Sequence, residues 1–109
     1  MNYLTIGAVV LIAYFFYSIP SPLVPGQKSF TLYWWSRCGH CLTFMPTFDM
    51  LGSSMYGVKL RKVEASQIGN EFEVNSFPTM VYRGADGVAE VYTGGRSSVE
   101  ITHYLMSKE

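Results

Sequence analysis

A chain of 109 residues has room for one domain, and its eight basic and eight acidic side chains leave no net charge. Because nucleic-acid binding depends on a basic surface, this balance excludes that class of function, and we expect no nucleic-acid partner. Hydrophobic residues make up 49% of the chain. They must hold the fold, because the two cysteines have only two residues between them and leave no pair for a structural disulfide.

The N-terminal segment is apolar, and the first charged side chain along the sequence is Lys28. As a helix, residues 3–19 would span about 25 Å, slightly less than a typical hydrocarbon core of about 30 Å. We therefore predict a transmembrane anchor at residues 1–19, in contact with the membrane through residues 3–19. A cleaved signal peptide is the main alternative, although the segment has no basic start and Ser18-Ile19-Pro20 is a poor cleavage site. A buried core helix is less consistent with the complete small domain that follows.

A proline-rich linker at residues 20–27 separates this anchor from the rest of the chain. Pro20, Pro22 and Pro25 prevent the helix from continuing and favour an extended, polyproline-like conformation. We expect this linker to act as a spacer that holds the remaining domain, residues 28–109, away from the bilayer.

Hydrophobic patterning predicts an alternation of strands and helices in residues 28–109. In chain order, the predicted elements are a strand at Phe30–Trp35, a helix from Gly39 to about Tyr56 interrupted by Pro46, a strand at Val58–Glu64, a short helix at Gln67–Val74, strands at Thr79–Arg83 and Val88–Thr93, and a helix at Ser97–Ser107 capped by Ser97 or Ser98. Asp86-Gly87 lies between the last two strands and is typical of a hairpin, so we expect these strands to pair antiparallel. The alternation predicts an α/β fold in which helices cover both faces of a sheet.

Cys38-Gly39-His40-Cys41 carries the chemistry that the sequence indicates most strongly. A Cys-x-x-Cys pair where a strand turns into a helix is typical of a redox site, because the helix N-terminus stabilises a thiolate at the first cysteine. Cys41 lies nearly one turn further along the helix, close enough to resolve a mixed disulfide formed by Cys38. A zinc site is the alternative, but zinc prefers four ligands, and the histidines that could join the cysteines are His40 and the distant His103.

Four separated motifs occur in order along residues 28–109. They are Cys38-Gly39-His40-Cys41, Pro46 five residues past Cys41, Ser76-Phe77-Pro78-Thr79 and Tyr92-Thr93-Gly94-Gly95-Arg96-Ser97. Together they resemble the active-site tetrapeptide, helix-kinking proline, cis-proline loop and final strand-to-helix turn of the thioredoxin superfamily, most closely its protein disulfide isomerase branch. The resemblance implies a thioredoxin-like, three-layer α/β fold with a mixed sheet. The family's first strand and helix have no counterpart after the linker, so we expect a minimal, glutaredoxin-sized core.

The resemblance also implies roles for the two cysteines and the residues around them. Cys38 would be the exposed nucleophile and Cys41 the buried resolving thiol, and together they would form the redox-active disulfide. His40 would stabilise the Cys38 thiolate by charge or hydrogen bonding, although a histidine here is also compatible with a solvated helix position. Arg96 matches an arginine that in disulfide isomerases swings toward the site and lowers the pKa of the resolving thiol. A solvated position at the helix N-terminus is equally open for it.

A substrate groove is implied beside the cysteines. A cis bond between Phe77 and Pro78 would present the neighbouring backbone to an extended substrate strand, so Ser76, Phe77 and Pro78 are candidate substrate-binding residues. An ordinary trans proline at a strand entry is the alternative. Gly94 and Gly95 would form a turn that needs either positive φ or close approach.

Two positions depart from the family pattern. The buried Asp or Glu that relays protons to the resolving thiol is replaced by Leu32, and the Trp before the first cysteine is replaced by Arg37. Leu32 removes a proton acceptor, while Arg37 adds a charge that favours the Cys38 thiolate. We therefore expect escape through the resolving thiol to be slow. Lys62 resembles the lysine that normally pairs with the lost acid, and its expected partner here is Glu64.

The motifs predict a membrane-anchored thiol–disulfide oxidoreductase that acts on cysteine-containing protein substrates and exchanges electrons with a thiol or disulfide redox partner. We expect no organic cofactor and no metal. A non-catalytic, tethered binding module that holds partner chains in the Phe77-Pro78 groove is the alternative from another class. Lys28 and Arg37 near the anchor favour a cytoplasmic domain. The isomerase-like motif instead favours an oxidising lumen like that of the endoplasmic reticulum, which is the location we expect.

Overall fold

A computed structural model describes residues 21–109, which contain five strands and two helices. In chain order these are β1 (Ser29–Trp34), α1 (Gly39–Asp49), β2 (Ser54–Met55), β3 (Val58–Glu64), a 3₁₀ turn (Ala65–Gln67), β4 (Thr79–Arg83), β5 (Ala89–Val91) and α2 (Ser98–Met106). The predicted anchor, residues 1–19, lies outside the described part of the chain. Within residues 21–109, neither helix has the length and apolar character needed to cross a membrane.

The five strands form one mixed sheet in the order β2-β3-β1-β4-β5. β1 lies at its centre, parallel to β3 and antiparallel to β4. α1 connects the parallel pair, which is the kind of crossover that parallel neighbours require. The predicted hairpin is confirmed, because β4 and β5 are antiparallel and Gly87 turns the chain between them with a φ of 84°. This topology places the end of β1, and Cys38 beyond it, at the middle of one end of the sheet.

Both helices pack on one face of the sheet, which we call the helix-covered face. Phe44 and Phe48 of α1, like Ile101 and Leu105 of α2, are four residues apart, so each pair lies on one side of its helix and is buried. The strands complete this core with Phe30, Leu32, Val58, Leu60, Met80 and Tyr82. Removal of this apolar area from water holds the helices onto the sheet.

The opposite face, which we call the second face, is covered by residues 68–77, the covering segment. Its side chains Ile68, Phe72, Val74 and Phe77 pack around Tyr33, Val63 and Val81 of the sheet. The helix predicted at Gln67–Val74 is wrong: a 3₁₀ turn ends at Gln67, and Gly69 has a φ of 58°, which an α-helix does not contain. Within residues 21–109, helices therefore cover one face of the sheet and not both.

Three further boundaries differ from the sequence-based prediction. α1 runs through Pro46 and ends at Asp49, because the chain turns at Gly52, with a φ of 87°, and then pairs with β3 as β2. Trp35 lies beyond β1 and is 43% exposed instead of buried. β5 covers Ala89–Val91, a shorter stretch than the predicted strand. These differences do not change the chain order of β1, α1 and β4, the elements that lie next to Cys38 or its neighbouring loop.

The described part of the linker, residues 21–27, is attached to the domain. The Ser21 carbonyl accepts a hydrogen bond from Arg61 at 2.8 Å, and Gly26, with a φ of 82°, turns the chain before β1. The Lys28 ammonium then donates to the Lys108 carbonyl at 2.9 Å, which ties the chain beyond α2 to the start of β1. The linker is therefore not the uniformly extended spacer that its prolines predict.

Candidate functional site

Cys38 is the N-cap of α1, close to the point where the chain leaves β1. Its extended backbone, with φ of −96° and ψ of 113°, lets the side chain fold back over the first turn of the helix. There Sγ accepts a hydrogen bond from the Cys41 N–H at 3.2 Å, while the Cys38 N–H donates to the Trp35 carbonyl at 3.0 Å. The half-buried sulfur is thus held over the free N–H groups of a helix N-terminus.

The pKa of the Cys38 thiol is lowered from its ordinary value. The largest cause is a hydrogen bond with the Cys41 thiol, which outweighs the opposing effect of burial on the pKa. The backbone N–H groups of Cys41 and His40 and the positive charge of Arg96 lower the pKa further. Because each of these groups stabilises an anion, the environment favours the thiolate form of Cys38.

Cys41 has the opposite environment, although it lies three residues away. Its side chain is fully buried. Burial, followed by the hydrogen bond to Cys38, raises the pKa of the Cys41 thiol, and the positive charge of Arg96 acts against this rise. The more accessible sulfur is therefore the more acidic one, and the buried sulfur keeps its proton. This is the asymmetry that a nucleophile and a resolving thiol require.

The loop before β4 lies directly beside Cys38. The Phe77–Pro78 peptide bond is cis, and the Cys38 thiol lies 3.7 Å from the Phe77 carbonyl oxygen, within reach of a weak sulfur hydrogen bond. Thr79 Oγ1 donates to the Ser76 carbonyl at 2.6 Å and closes the loop. Ser76 is exposed, and Phe77 and Pro78 are half-buried. The structure thus brings the loop of the three predicted substrate-binding residues to the sulfur.

Arg96 acts on the site from the turn that precedes α2. The Tyr92 hydroxyl donates to the Gly95 carbonyl at 2.7 Å, and a β-carbon at Gly95 would overlap the carboxylate of Glu100. Neither Gly94 nor Gly95 has a positive φ, and the group closest to Gly95 is the end of the exposed Glu100 side chain. The exposed Arg96 side chain lowers the pKa of both thiols through its charge. His40 is also exposed, and its contribution to the first thiol is made by its backbone N–H.

The departures from the family pattern have different surroundings. Leu32 is fully buried in the core of the helix-covered face, against the helix that carries the second cysteine. Arg37 is exposed. The prediction that Lys62 pairs with Glu64 is wrong. The Lys62 ammonium pairs with Asp49 at 2.5 Å, and the Glu64 carboxylate instead caps the 3₁₀ turn. The apolar Leu32 thus occupies the position of the family's buried acid, and Lys62 pairs with the exposed Asp49 instead.

The zinc alternative requires a cluster of ligands around the cysteines. Among residues 21–109, no three His, Cys, Asp or Glu side chains lie close enough together to hold a metal ion. His103, the second histidine of the sequence, is exposed on α2.

Sequence reasoning missed two features of this region. Trp35 and Leu42 are large apolar side chains that are 43% and 52% exposed, and they flank the cysteine pair along the chain. Arg61 is buried on the second face and pairs with Glu71 of the covering segment. The sequence does contain a signal for the burial of Arg61. β3 has apolar residues on both of its sides, which indicates a strand that is buried on both faces. Arg61 lies on the same side of β3 as the apolar Val63.

Comparison with known protein families agrees with this arrangement. A family model described as Thioredoxin matches residues 24–107. The chain belongs to the thioredoxin family. Its mixed sheet is therefore that of a thioredoxin-like α/β domain.

Protein disulfide isomerases are among the relatives of this thioredoxin-family chain. It is 32% identical to Protein disulfide-isomerase 1 of Caenorhabditis elegans over 78 residues and 32% identical to Protein disulfide isomerase-like 1-4 of Arabidopsis thaliana over 76 residues, 65% of this chain in each case. The matches cover 16% and 13% of the relatives' own lengths, so the chain resembles a small part of each. Among solved structures, the J-Trx1 fragment of ERdj5 has a TM-score of 0.66 and 22% identity, over 75% of this chain and 43% of that one. That likeness shows the fold alone.

Proposed function

We propose that this chain is a membrane-anchored thiol–disulfide oxidoreductase that exchanges disulfides with cysteine-containing protein substrates through Cys38 and Cys41. The observation that carries the proposal is the asymmetric sulfur pair at the start of α1, with an acidic, accessible Cys38 beside the Phe77-Pro78 loop and a buried, less acidic Cys41. Membership of the thioredoxin family and similarity to protein disulfide isomerases support it. Sulfur carries both electrons, so the reaction needs no organic cofactor.

Reduction of a substrate begins with the Cys38 thiolate. It attacks one sulfur of the substrate disulfide, an S–S bond forms between Cys38 and that sulfur, and the second substrate sulfur leaves as a thiolate that takes up a proton. The groups that lower the pKa of Cys38 raise the fraction of this thiol that is ionised at a given pH. They also make Cys38 a better leaving group in the reverse direction, in which a substrate is oxidised.

Cys41 completes the exchange. After it loses its proton, its sulfur attacks Cys38, forms the Cys38–Cys41 disulfide and releases the first substrate sulfur, so the protein is oxidised by two electrons and the substrate is reduced. Burial holds the proton on Cys41, and the charge of Arg96 lowers this barrier. With Leu32 in place of an acid, the step lacks the family's proton acceptor and is slow. A thiol or disulfide redox partner then resets the pair, and its potential decides the net direction.

The surface beside the nucleophilic sulfur suits an extended segment of a substrate. Ser76, Phe77 and Pro78 offer backbone groups next to the sulfur, and an extended chain binds such groups as an added strand does. Trp35 and Leu42 are exposed beside the pair. Side chains that flank the cysteine of the substrate therefore contact apolar surface.

The proposed location of the domain is an oxidising lumen, with residues 1–19 as the anchor. The uncharged, apolar sequence of residues 3–19 supports an anchor. The isomerase-like tetrapeptide supports a compartment in which disulfides persist. Protease protection in intact membranes tests this location: the domain should resist added protease until the membrane is opened. Digestion in sealed membranes would place it on the cytoplasmic side.

An insulin-reduction assay on the full chain tests the activity. We expect Cys38→Ser to lose at least about a hundredfold in rate, because serine does not form the mixed disulfide. Glu90→Gln, a change of an exposed side chain, should retain the wild-type rate. Equal activity of the wild type and Cys38→Ser would instead favour a non-catalytic module that holds partner chains in the Phe77-Pro78 groove.

A further inference from the structure

A buried arginine lies on the second face of the sheet. Arg61, in the middle of β3, is 4% exposed, and within residues 21–109 its guanidinium makes four hydrogen bonds. Nε donates to the Ser21 carbonyl at 2.8 Å, and Nη1 donates to Thr31 Oγ1 at 2.9 Å. Nη1 and Nη2 also donate to the two carboxylate oxygens of Glu71 at 3.0 and 3.1 Å. This two-point pairing requires the planar fork of a guanidinium.

Glu71 is held by further groups besides Arg61. The Tyr33 hydroxyl donates to its Oε1 at 2.7 Å, and Arg83 donates to its backbone carbonyl at 3.2 Å. Burial raises the pKa of the Glu71 carboxyl, but the hydrogen bonds from Arg61 and Tyr33 outweigh burial and hold this pKa below its usual value. Burial and the hydrogen bond to Glu71 raise the pKa of Tyr33 to about 12, so its hydroxyl stays a donor at neutral pH. Glu71 is therefore a fixed anion.

Glu71 belongs to the covering segment, residues 68–77, which contains neither helix nor strand. Phe72 stacks on Tyr33 with ring centroids 5.9 Å apart, and Val74 and Phe77 pack on the same apolar cluster of the sheet. The segment ends at Phe77, whose carbonyl oxygen lies 3.7 Å from the sulfur of the nucleophilic cysteine. The ion pair thus fixes, through polar contacts, a segment whose far end touches the candidate active site.

Arg61 is buried and Glu71 is half-buried, and stability alone is a poor reason for an ion pair in such a place. Desolvation of the two charges often costs more than their attraction returns, and apolar residues of similar size frequently give equal or greater stability. What the pair supplies is geometry, because two parallel hydrogen bonds fix both the position and the orientation of Glu71.

We propose that Arg61 and Glu71 are positioning residues for Cys38, on which they act through the covering segment and the Phe77 carbonyl. The inference rests on the proposed thiol–disulfide exchange at the same site. The fixed carbonyl accepts the S–H of Cys38 and so favours the thiol, partly opposing the helix N-terminus, which favours the thiolate. The same fixed backbone keeps the substrate groove aligned with the sulfur. Loss of the ion pair therefore makes Cys38 more acidic and slows capture of a protein substrate.

The pH dependence of Cys38 alkylation in the full, reduced chain tests the first of these effects. Iodoacetamide reports the accessible thiol, because Cys41 is fully buried. The test variant is Glu71→Gln, which keeps the size of the side chain and removes its charge. The matched control is Glu90→Gln: the Glu90 carboxylate also accepts from a tyrosine hydroxyl, at 2.8 Å, and from a lysine, at 3.1 Å, but it is exposed.

We expect the midpoint of the alkylation profile to fall by about half a pH unit in Glu71→Gln, the scale of one weak hydrogen bond. Below the midpoint, alkylation then becomes about twofold faster, because the thiolate fraction rises about threefold while each thiolate is somewhat less nucleophilic. Insulin reduction instead slows severalfold through a higher KM. Glu90→Gln leaves both measurements unchanged. An unchanged midpoint in a folded Glu71→Gln protein would overturn the proposal. A midpoint that rises towards that of free cysteine would overturn it too, because it would show general loosening of the helix start.

Tyr33→Phe keeps the test decisive if Glu71→Gln does not fold. This variant removes the hydroxyl that donates to Glu71 and keeps the ring that stacks on Phe72. We expect a smaller shift of the midpoint in the same direction, and the absence of any shift contradicts the proposal. Alkylation does not require turnover. A wild-type chain that fails to reduce insulin would refute the proposed function, while the alkylation profiles still decide the role of the ion pair.

Discussion

The two faces of the sheet bury their strands in different ways. On the helix-covered face the buried strand side chains, Leu32 among them, are hydrophobic. The buried polar or charged side chains of residues 21–109 are Ser29, Thr31 and Arg61, and strand alternation places them on the second face. The second face has a smaller apolar cluster around Tyr33, and it also contains the ion pair of the buried Arg61 with the half-buried Glu71. In residues 21–109, the buried charge of Arg61 thus lies on the face that an irregular segment covers. At the position where the family has a proton acceptor for the resolving thiol, this chain has an apolar side chain.

The difference follows from what covers each face. A helix satisfies most of its own backbone hydrogen bonds, so α1 and α2 need an apolar stripe to pack on the sheet and little else. An irregular segment leaves more of its backbone groups without partners of its own. Arg83 accordingly donates to the Glu71 carbonyl, and Arg61 binds the Glu71 side chain. On the second face, one arginine thus binds the backbone of the covering segment and another binds its Glu71 side chain.

Removal of one member of the ion pair is the strongest way to test this comparison. Glu71→Leu leaves the Arg61 guanidinium buried without its carboxylate, and we expect the free energy of unfolding to fall by about 3–5 kcal/mol. Denaturant unfolding of the full chain measures this change. The double variant Arg61→Met/Glu71→Leu should be less destabilised than Glu71→Leu, because it leaves no buried charge unpaired. A loss of less than about 1 kcal/mol in Glu71→Leu, the range of an exposed ion pair, would show that the two faces do not differ in this way.

A smaller effect is expected from an acid placed on the apolar face. Leu32→Glu restores a proton acceptor at the family's position, and we expect the release of substrate through Cys41 to become about tenfold faster, equivalent to about 1.4 kcal/mol of barrier. Stopped-flow oxidation and reduction of the wild type beside the variant measure this step. Leu32→Gln is the control, since it matches glutamate in size and accepts no proton in this pH range. Equal release rates in the wild type and Leu32→Glu would remove the idea that Leu32 slows escape.

The sequence predicts those elements of the fold whose signals are local. The hairpin is one, because Asp86-Gly87 supplies the positive φ of its turn, and the final helix is another, because Ser97 Oγ accepts from the third N–H of that helix. The covering segment gives no such signal. Its path is set by contacts of Glu71 and Phe72 with residues on distant strands, and these tertiary contacts override the local preference for a helix.

In the candidate site, too, the features with a local sequence motif could be predicted, and those set by tertiary contacts could not. Cys38 and Cys41 are placed by one local motif, and Pro78 by another, and the structure brings the two motifs together. The partner of Lys62 could not be predicted, because Asp49 becomes available only where α1 ends, and the sequence places that end several residues too late. The burial of Arg61 likewise depends on a segment whose path is set by tertiary contacts.

The chain before β1 and the chain after α2 lie side by side. The Lys28 ammonium holds the Lys108 carbonyl at 2.9 Å across 80 residues of sequence. This junction is at the start of β1, about 20 Å, the length of that six-residue strand, from the end that leads to the cysteines. A domain whose ends lie close together can be inserted into a surface loop of another protein, or repeated in tandem, and its opposite end stays accessible. Such an arrangement suits a domain that occurs within longer proteins, and the stretches that match this chain make up 16% and 13% of the two disulfide isomerase relatives.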